Sequence, residues 1–237
     1  MENWDFREWQ TALGSLGGRE AALVGLAAAE RISGCLDDER FRRHGGSGSA
    51  IVTELLQKCW NDAADGEESS PTELQELIDQ LADWSREYTD LSLAELFRSF
   101  GTPTGDGDGD GDGDDEEDAD ADAVDLDDFL EEAVPEGAVM VHLDALNAVS
   151  EAVSACAGGP WDGALRCLQT TAMAARQGDP RLPGPGVELQ RQREDLELVG
   201  ASGSSERGHV VAELRARAES DARGWKQSTE QLDLLHD

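Results

Sequence analysis

Apolar side chains recur every three or four positions through most of this chain, the spacing of one helix face, while the period-two alternation of a strand is almost absent. Trp4, Phe6, Trp9 and Leu13 open the pattern, and Gly14 and the Gly17-Gly18 pair interrupt it. The second segment, from about Arg19 to Leu36, is apolar on every side between Ala21 and Ala29. That predicts a helix enclosed by others rather than one lying on a surface. A third stripe holds Ile51, Val52, Leu55, Leu56, Cys59, Trp60 and Ala63. The fourth segment has the clearest start signal: Ser70 can cap, Pro71 suits the first helical position, and Glu73 completes a capping box. Leu74, Leu77, Ile78, Leu81, Trp84 and Tyr88 then share a face, and a shorter helix is predicted over Leu93–Phe100.

The pattern stops at a strict Gly-Asp alternation from Gly105 to Asp114, continued by acidic residues to Asp128. Glycine maximises chain entropy there and the carboxylates repel one another, so residues 101–128 are predicted to be a disordered insertion. Helical spacing resumes near Asp127 and is strong from Ala138 to Cys156, with Met140, Leu143, Leu146, Val149, Val153 and Cys156 expected on the core side. Further helices are predicted over Trp161–Gln177, over Val187–Val199, and after Ser205, where Val211, Leu214, Ala218, Ala222 and Trp225 form an edge. The expected fold is all-α, a single bundle of seven to eight helices. Residues 1–100 and 129–237 supply its two halves, since a long insertion between helices costs little loop-closure entropy.

Charge narrows the functional classes. The chain carries 52 acidic and 19 basic residues for a formal net charge of -33. Sixteen of the acids lie between Asp106 and Glu132, so the helical part remains acidic in its own right, at 36 against 19. Nucleic acid and anionic lipid would be repelled, and neither is an expected partner. Two readings of the acidity stay open: adaptation to salt or solubility, and a surface for a basic protein. The opening residues Met1 to Asp5 are acidic where a signal peptide would be basic, and the longest apolar run has nine residues, so a cytoplasmic location is expected.

Candidate chemistry is sparse. Cys35, Cys59, Cys156 and Cys167 form no C-x-x-C pair and sit in apolar runs, which reads as buried free thiols. His44, His142, His209 and His236 are isolated, and no hydrolase elbow or phosphate-binding loop occurs. Residues 106–117 match the ligand register of a calcium-binding loop, but any Gly-Asp alternation ending in glutamates does so; Gly113 replaces the usual apolar residue, and no helix is predicted before it. No catalytic set, metal site or cofactor is therefore called for. The polar residues that stand out are Glu30 and Arg31, ending the enclosed helix, where neither is cheaply buried alone. Asp144, Asn147, Glu151 and Ser154 share one stripe of the helix after the insertion: a solvated face, or a face turned towards Arg31 across a polar cleft.

These residues resemble motifs of the YjaG-like bacterial proteins, a family of unassigned activity that folds as an all-helical bundle. Ala29-Glu30-Arg31 is similar to that family's Cys-Glu-Arg, and Glu131 to Pro135 to its Glu-Glu-Ala-Ile-Pro. Leu143-Asp144-Ala145 and Ser150-Glu151 resemble its Ile-Asp-Ala and following Ser-Glu. The likeness spans most of Leu13 to Gly224 without the acidic insertion. It implies the helical fold and makes Glu30, Arg31 and Asp144 the residues to test, and it transfers no reaction. The expected function is a non-enzymatic interaction protein with an acidic surface for a basic partner, an immunity-type inhibitor being one concrete form. The alternative is an enzyme or small-ligand-binding protein using a polar cleft around Glu30, Arg31 and Asp144, with Glu151 in the same candidate ligand or structural polar cluster.

Overall fold

Eight α-helices make up the computed structural model, which describes residues 5–39, 41, 48–65, 70–100, 137–158, 161–176, 183–202 and 207–232. No strand occurs among these residues, so the all-helical bundle expected from the periodicity is the fold. In order they are α1 (Phe6–Gly14), α2 (Gly18–Ser33), α3 (Gly48–Asp65), α4 (Pro71–Phe100), α5 (Ala138–Cys156), α6 (Asp162–Ala174), α7 (Pro185–Ala201) and α8 (Arg207–Thr229). A single 3-10 turn, Gly34–Asp37, extends α2. The Gly/Asp segment 101–128, its calcium-like register and the motif at 131–135 lie outside the described residues.

Helix α2 is the axis of the assembly. Every residue from Ala21 to Ala29 is buried, and α5, α6, α7 and α8 all pack on it. Its small side chains permit this: a Cβ placed on Gly25 would already meet the Ala164 Cα of α6 at 3.0 Å. Helices α5 and α6 pack on each other as well, with Gly163 of α6 against the backbone of Glu151. The apolar residues from both sides of the Gly/Asp segment form one continuous cluster, since no amphipathic helix here could bury its face alone.

Local signals set the helix starts. Asp5 caps α1, its carboxylate accepting from the Arg7 and Glu8 amides at 2.9 and 3.3 Å, which satisfies two of the donors that a helix start leaves free. Pro71 opens α4 as predicted. The separate helix expected over Leu93–Phe100 is instead the end of α4, which runs unbroken for 30 residues. Thr89 to Ser92 contain no glycine or proline, and nothing there ends a helix.

Helix α5 also differs from expectation in its deepest face. Met140, Leu143 and Cys156 are half-buried, whereas Val141, Ala145, Ala148 and Ala152 are fully enclosed. The small side chains lie inward because α2 and α6 approach closely on that side.

An aromatic cluster joins α4 to α5. Phe41 sits edge-on to Trp84 and Tyr88, with centroids 4.6 and 4.8 Å away, and Trp84 stacks on Tyr88. Within this cluster the Tyr88 hydroxyl and His142 Nδ1 are hydrogen-bonded at 2.6 Å, and His142 Nε2 faces the Asp38 carboxylate at 3.6 Å. All three residues are buried. Tyr88→Phe removes one enclosed hydrogen bond and is expected to cost about 1–2 kcal/mol. The check is a lower urea midpoint at unchanged m-value.

Candidate functional site

Glu30 and Arg31 are neighbours in sequence, but successive residues of a helix point about 100° apart, and α2 sends them to different places. Arg31 turns into the interior, 1% exposed, to meet two acids of α7. Its Nε and one terminal nitrogen donate to Glu188 at 3.3 and 2.9 Å, and the other terminal nitrogen donates to Asp195 at 2.5 Å. Gln192 completes the arrangement, its amide nitrogen donating to Glu188 at 2.9 Å and to the Leu168 carbonyl at 3.0 Å. Glu188, Gln192 and Asp195 are buried at helical spacing, so the interior face of α7 is largely polar. Burial by itself would depress the Arg31 guanidinium, but the two facing carboxylates outweigh it and hold its pKa above the ordinary value. For Asp195 desolvation wins over the attraction of Arg31, and its pKa is raised. A site with no solvent path binds nothing from outside; this one pins α7 to α2.

Glu30 points the other way, into a surface groove of about 240 Å³ between α3, the 3-10 turn and α8. The Trp60 indole N–H donates to its carboxylate at 3.0 Å. Asp37, Arg215, Glu219, Arg223 and Lys226 also line the groove. Burial raises the Glu30 pKa against the lowering effect of the Trp60 bond, and Glu219 adds to the rise. The groove is thus of mixed charge, and Glu30, its carboxyl pKa raised, is part of its lining.

The other two singled-out residues join neither site. Glu151 lies on a shallow groove between α5 and α6 and pairs with Arg166 at 2.8 Å, which in turn bonds Asp162 at 2.7 Å. Asp144 is half-buried near Cys35, where burial, followed by the charges of Asp144 and Asp38, holds the thiol pKa well up. The expected cleft uniting Glu30, Arg31, Asp144 and Glu151 is therefore corrected. Arg31 is taken by Glu188 and Asp195, because α7 rather than the 144–154 stripe covers that side of α2.

Sequence reasoning missed Glu188, Gln192 and Asp195. Their signal was a polar stripe at i, i+4 and i+7 beside Leu189, Leu196 and Val199, on a helix read only as charged. Among the described residues no three His, Cys, Asp or Glu side chains are placed to hold a metal ion, and no helix is long and apolar enough to cross a membrane.

Fold and site together define an all-helical bundle with a closed interior ion cluster and an open groove of mixed charge. Set beside known proteins, the chain matches no family model, no curated protein and no solved structure.

Proposed function

We propose that the chain is a non-enzymatic interaction module of the cytoplasm whose acidic surface docks a basic protein, an immunity-type inhibitor being one concrete form. The observation that carries this reading is how charge is distributed. On α7 and α8 arginines are matched locally to acids: Arg191 to Glu194, Arg215 to Glu219, and Arg217 to Glu213. On α4 the exposed face presents Glu73, Glu76, Asp79 and Asp83; Arg86 on the same face bonds Asp83, and Lys58 of α3 lies 3.9 Å from Glu73. On a chain of net charge -33 such a ridge adds a local negative field that steers a cationic partner towards it. Kinship with the YjaG-like proteins belongs to the same proposal and rests on the short motifs at Ala29 to Arg31 and Leu143 to Ala145.

The test replaces the ridge by amides, Glu73→Gln, Glu76→Gln, Asp79→Asn and Asp83→Asn together. The wild type is expected to retain a basic protein at low salt and release it at high salt, and the variant to retain none. Unchanged capture, with only the salt dependence of stability altered, would instead assign the acidity to salt adaptation.

The groove over Glu30 favours a second reading, a small-ligand-binding protein or enzyme. Glu30→Gln keeps an oxygen acceptor for Trp60 and removes the charge. Loss of a cellular phenotype in this variant, with folding and partner capture intact, would select that reading. The variant also has a stability signature. A raised carboxyl pKa stabilises the fold at low pH, and that contribution is lost as pH rises through the folded-state value. Glu30→Gln is expected to flatten this acid-side slope, with a gain at neutral pH of less than about 1 kcal/mol.

A further inference from the structure

The groove over Glu30 differs in charge from the rest of this acidic chain. Glu30, Asp37 and Glu219 line it together with Arg215, Arg223 and Lys226, so its charges balance although the chain carries -33. Those six groups do not all neutralise one another. Arg215 is engaged, donating to Glu219 at 2.9 Å and to Gln57 at 2.8 Å. The Trp60 indole occupies Glu30 Oε2, and among the described residues no hydrogen bond reaches Oε1. Nor do Arg223 and Lys226 form an ion pair among the described residues, and Lys226 is half-buried in the lining. Resting on the small-ligand reading of this groove, and not on the α4 ridge, we propose that it binds a small zwitterion of no net charge. Its ammonium would sit on Glu30, and its carboxylate, several carbons away, on Lys226 and Arg223.

Helix geometry sets the spacing. Glu219, Ala222, Arg223 and Lys226 share one face of α8. Helix α2 runs alongside in the same direction: Glu30 feels the charge of Glu219, and Gly34, one turn on, abuts the Ala222 backbone. At about 1.5 Å per residue the step from Glu219 to Lys226 covers roughly 10 Å of axis. The open carboxylate oxygen and the two unpaired cations therefore stand at separate ends. An ammonium and a carboxylate on one carbon are too close together to reach both. Neutrality decides the rest. A simple anion approaching Lys226 is opposed by the field of the whole chain, and a simple cation on Glu30 meets Arg215, Arg223 and Lys226 without compensation. A zwitterion feels little net repulsion and satisfies both ends locally. Burial raises the Glu30 pKa because its charge is poorly solvated, and Glu219 and Asp37 add to the rise against Trp60 and Arg215; an ammonium at Oε1 supplies the missing counter-charge.

The experiment titrates the full-length protein, at constant ionic strength, with three probes of one chain length: δ-aminovalerate, pentylamine and valerate. Indole N–H resonances are followed by NMR, and the Trp60 signal is identified as the one missing from Trp60→Phe. The zwitterion is expected to shift that signal saturably, with a dissociation constant of about 1 mM or tighter. Pentylamine and valerate, each lacking one charge, are expected to bind at least about tenfold more weakly. Glu30→Gln and Lys226→Gln, with circular dichroism and melting temperature confirming that each folds, are expected to weaken the zwitterion by a similar factor. Pentylamine or valerate binding as tightly as δ-aminovalerate would overturn the zwitterion while keeping the groove as a ligand site. Undiminished binding to Lys226→Gln would do the same. No saturable shift with any probe would overturn the proposal, and the Glu30→Gln phenotype would then decide the small-ligand reading separately.

Discussion

Arg31→Met is expected to be the most damaging single substitution in this protein, at about 3–5 kcal/mol. Methionine fills much of the same volume, so the loss is electrostatic rather than a cavity. Glu188 and Asp195, each 2% exposed, would face one another without the guanidinium that now donates to both. A domain is stable by only about 5–15 kcal/mol, so the variant is expected to unfold at low urea or fail to accumulate. Two further measurements separate a charge effect from misfolding. The triple variant Arg31→Met, Glu188→Leu, Asp195→Leu is expected to recover most of the loss, since an apolar replacement of a whole buried ion cluster is often neutral or stabilising. Acidification is expected to rescue the single variant in part, because protonation removes the stranded charges. The wild type already leans this way: with the Asp195 pKa raised, its contribution is present at low pH and lost as pH rises through the folded-state value. A loss below about 1 kcal/mol for Arg31→Met would show that the cluster is not what pins α7 to α2.

The second large effect is steric. A Cβ on Gly34, where α2 passes into the 3-10 turn, would lie 2.0 Å from the Ala222 carbonyl oxygen of α8 and 2.8 Å from its Cα. Those are backbone atoms, and no side-chain rotation relieves the overlap. Gly34→Ala is expected to cost about 3 kcal/mol, the upper end for overpacking, by prising α8 from the centre of the bundle. Gly224→Ala, two residues beyond Ala222 on α8, is the matched control. Nothing lies within 4 Å of a Cβ there, and a helical glycine replaced by alanine is expected to gain about 0.5–1 kcal/mol. The pair reads out as opposite shifts in urea midpoint. Equal shifts would mean that helix propensity alone, and not the close crossing, governs Gly34.

The helices were legible because each is an amphipathic or fully apolar segment whose period is written locally. The enclosed run Ala21 to Ala29 announced the central helix, and Ser70-Pro71 with Glu73 announced the start of α4. The site was legible only in half. Arg31 at the end of that run demanded a partner, which is a local deduction about burial. Choosing between two polar stripes, 144–154 and 188–195, was not local, since both satisfy the same spacing rule.

What the sequence by itself determined, then, is which stretches coil and which faces must leave water, because propensity and hydrophobic period act over neighbouring turns. Which helix covers which face was decided by tertiary packing. Glycines and alanines on α2 set how near α5, α6 and α8 can come, and α7 takes the side on which Arg31 emerges. That is why Glu30 ends in an open groove and Arg31, one residue later, in a sealed ion cluster.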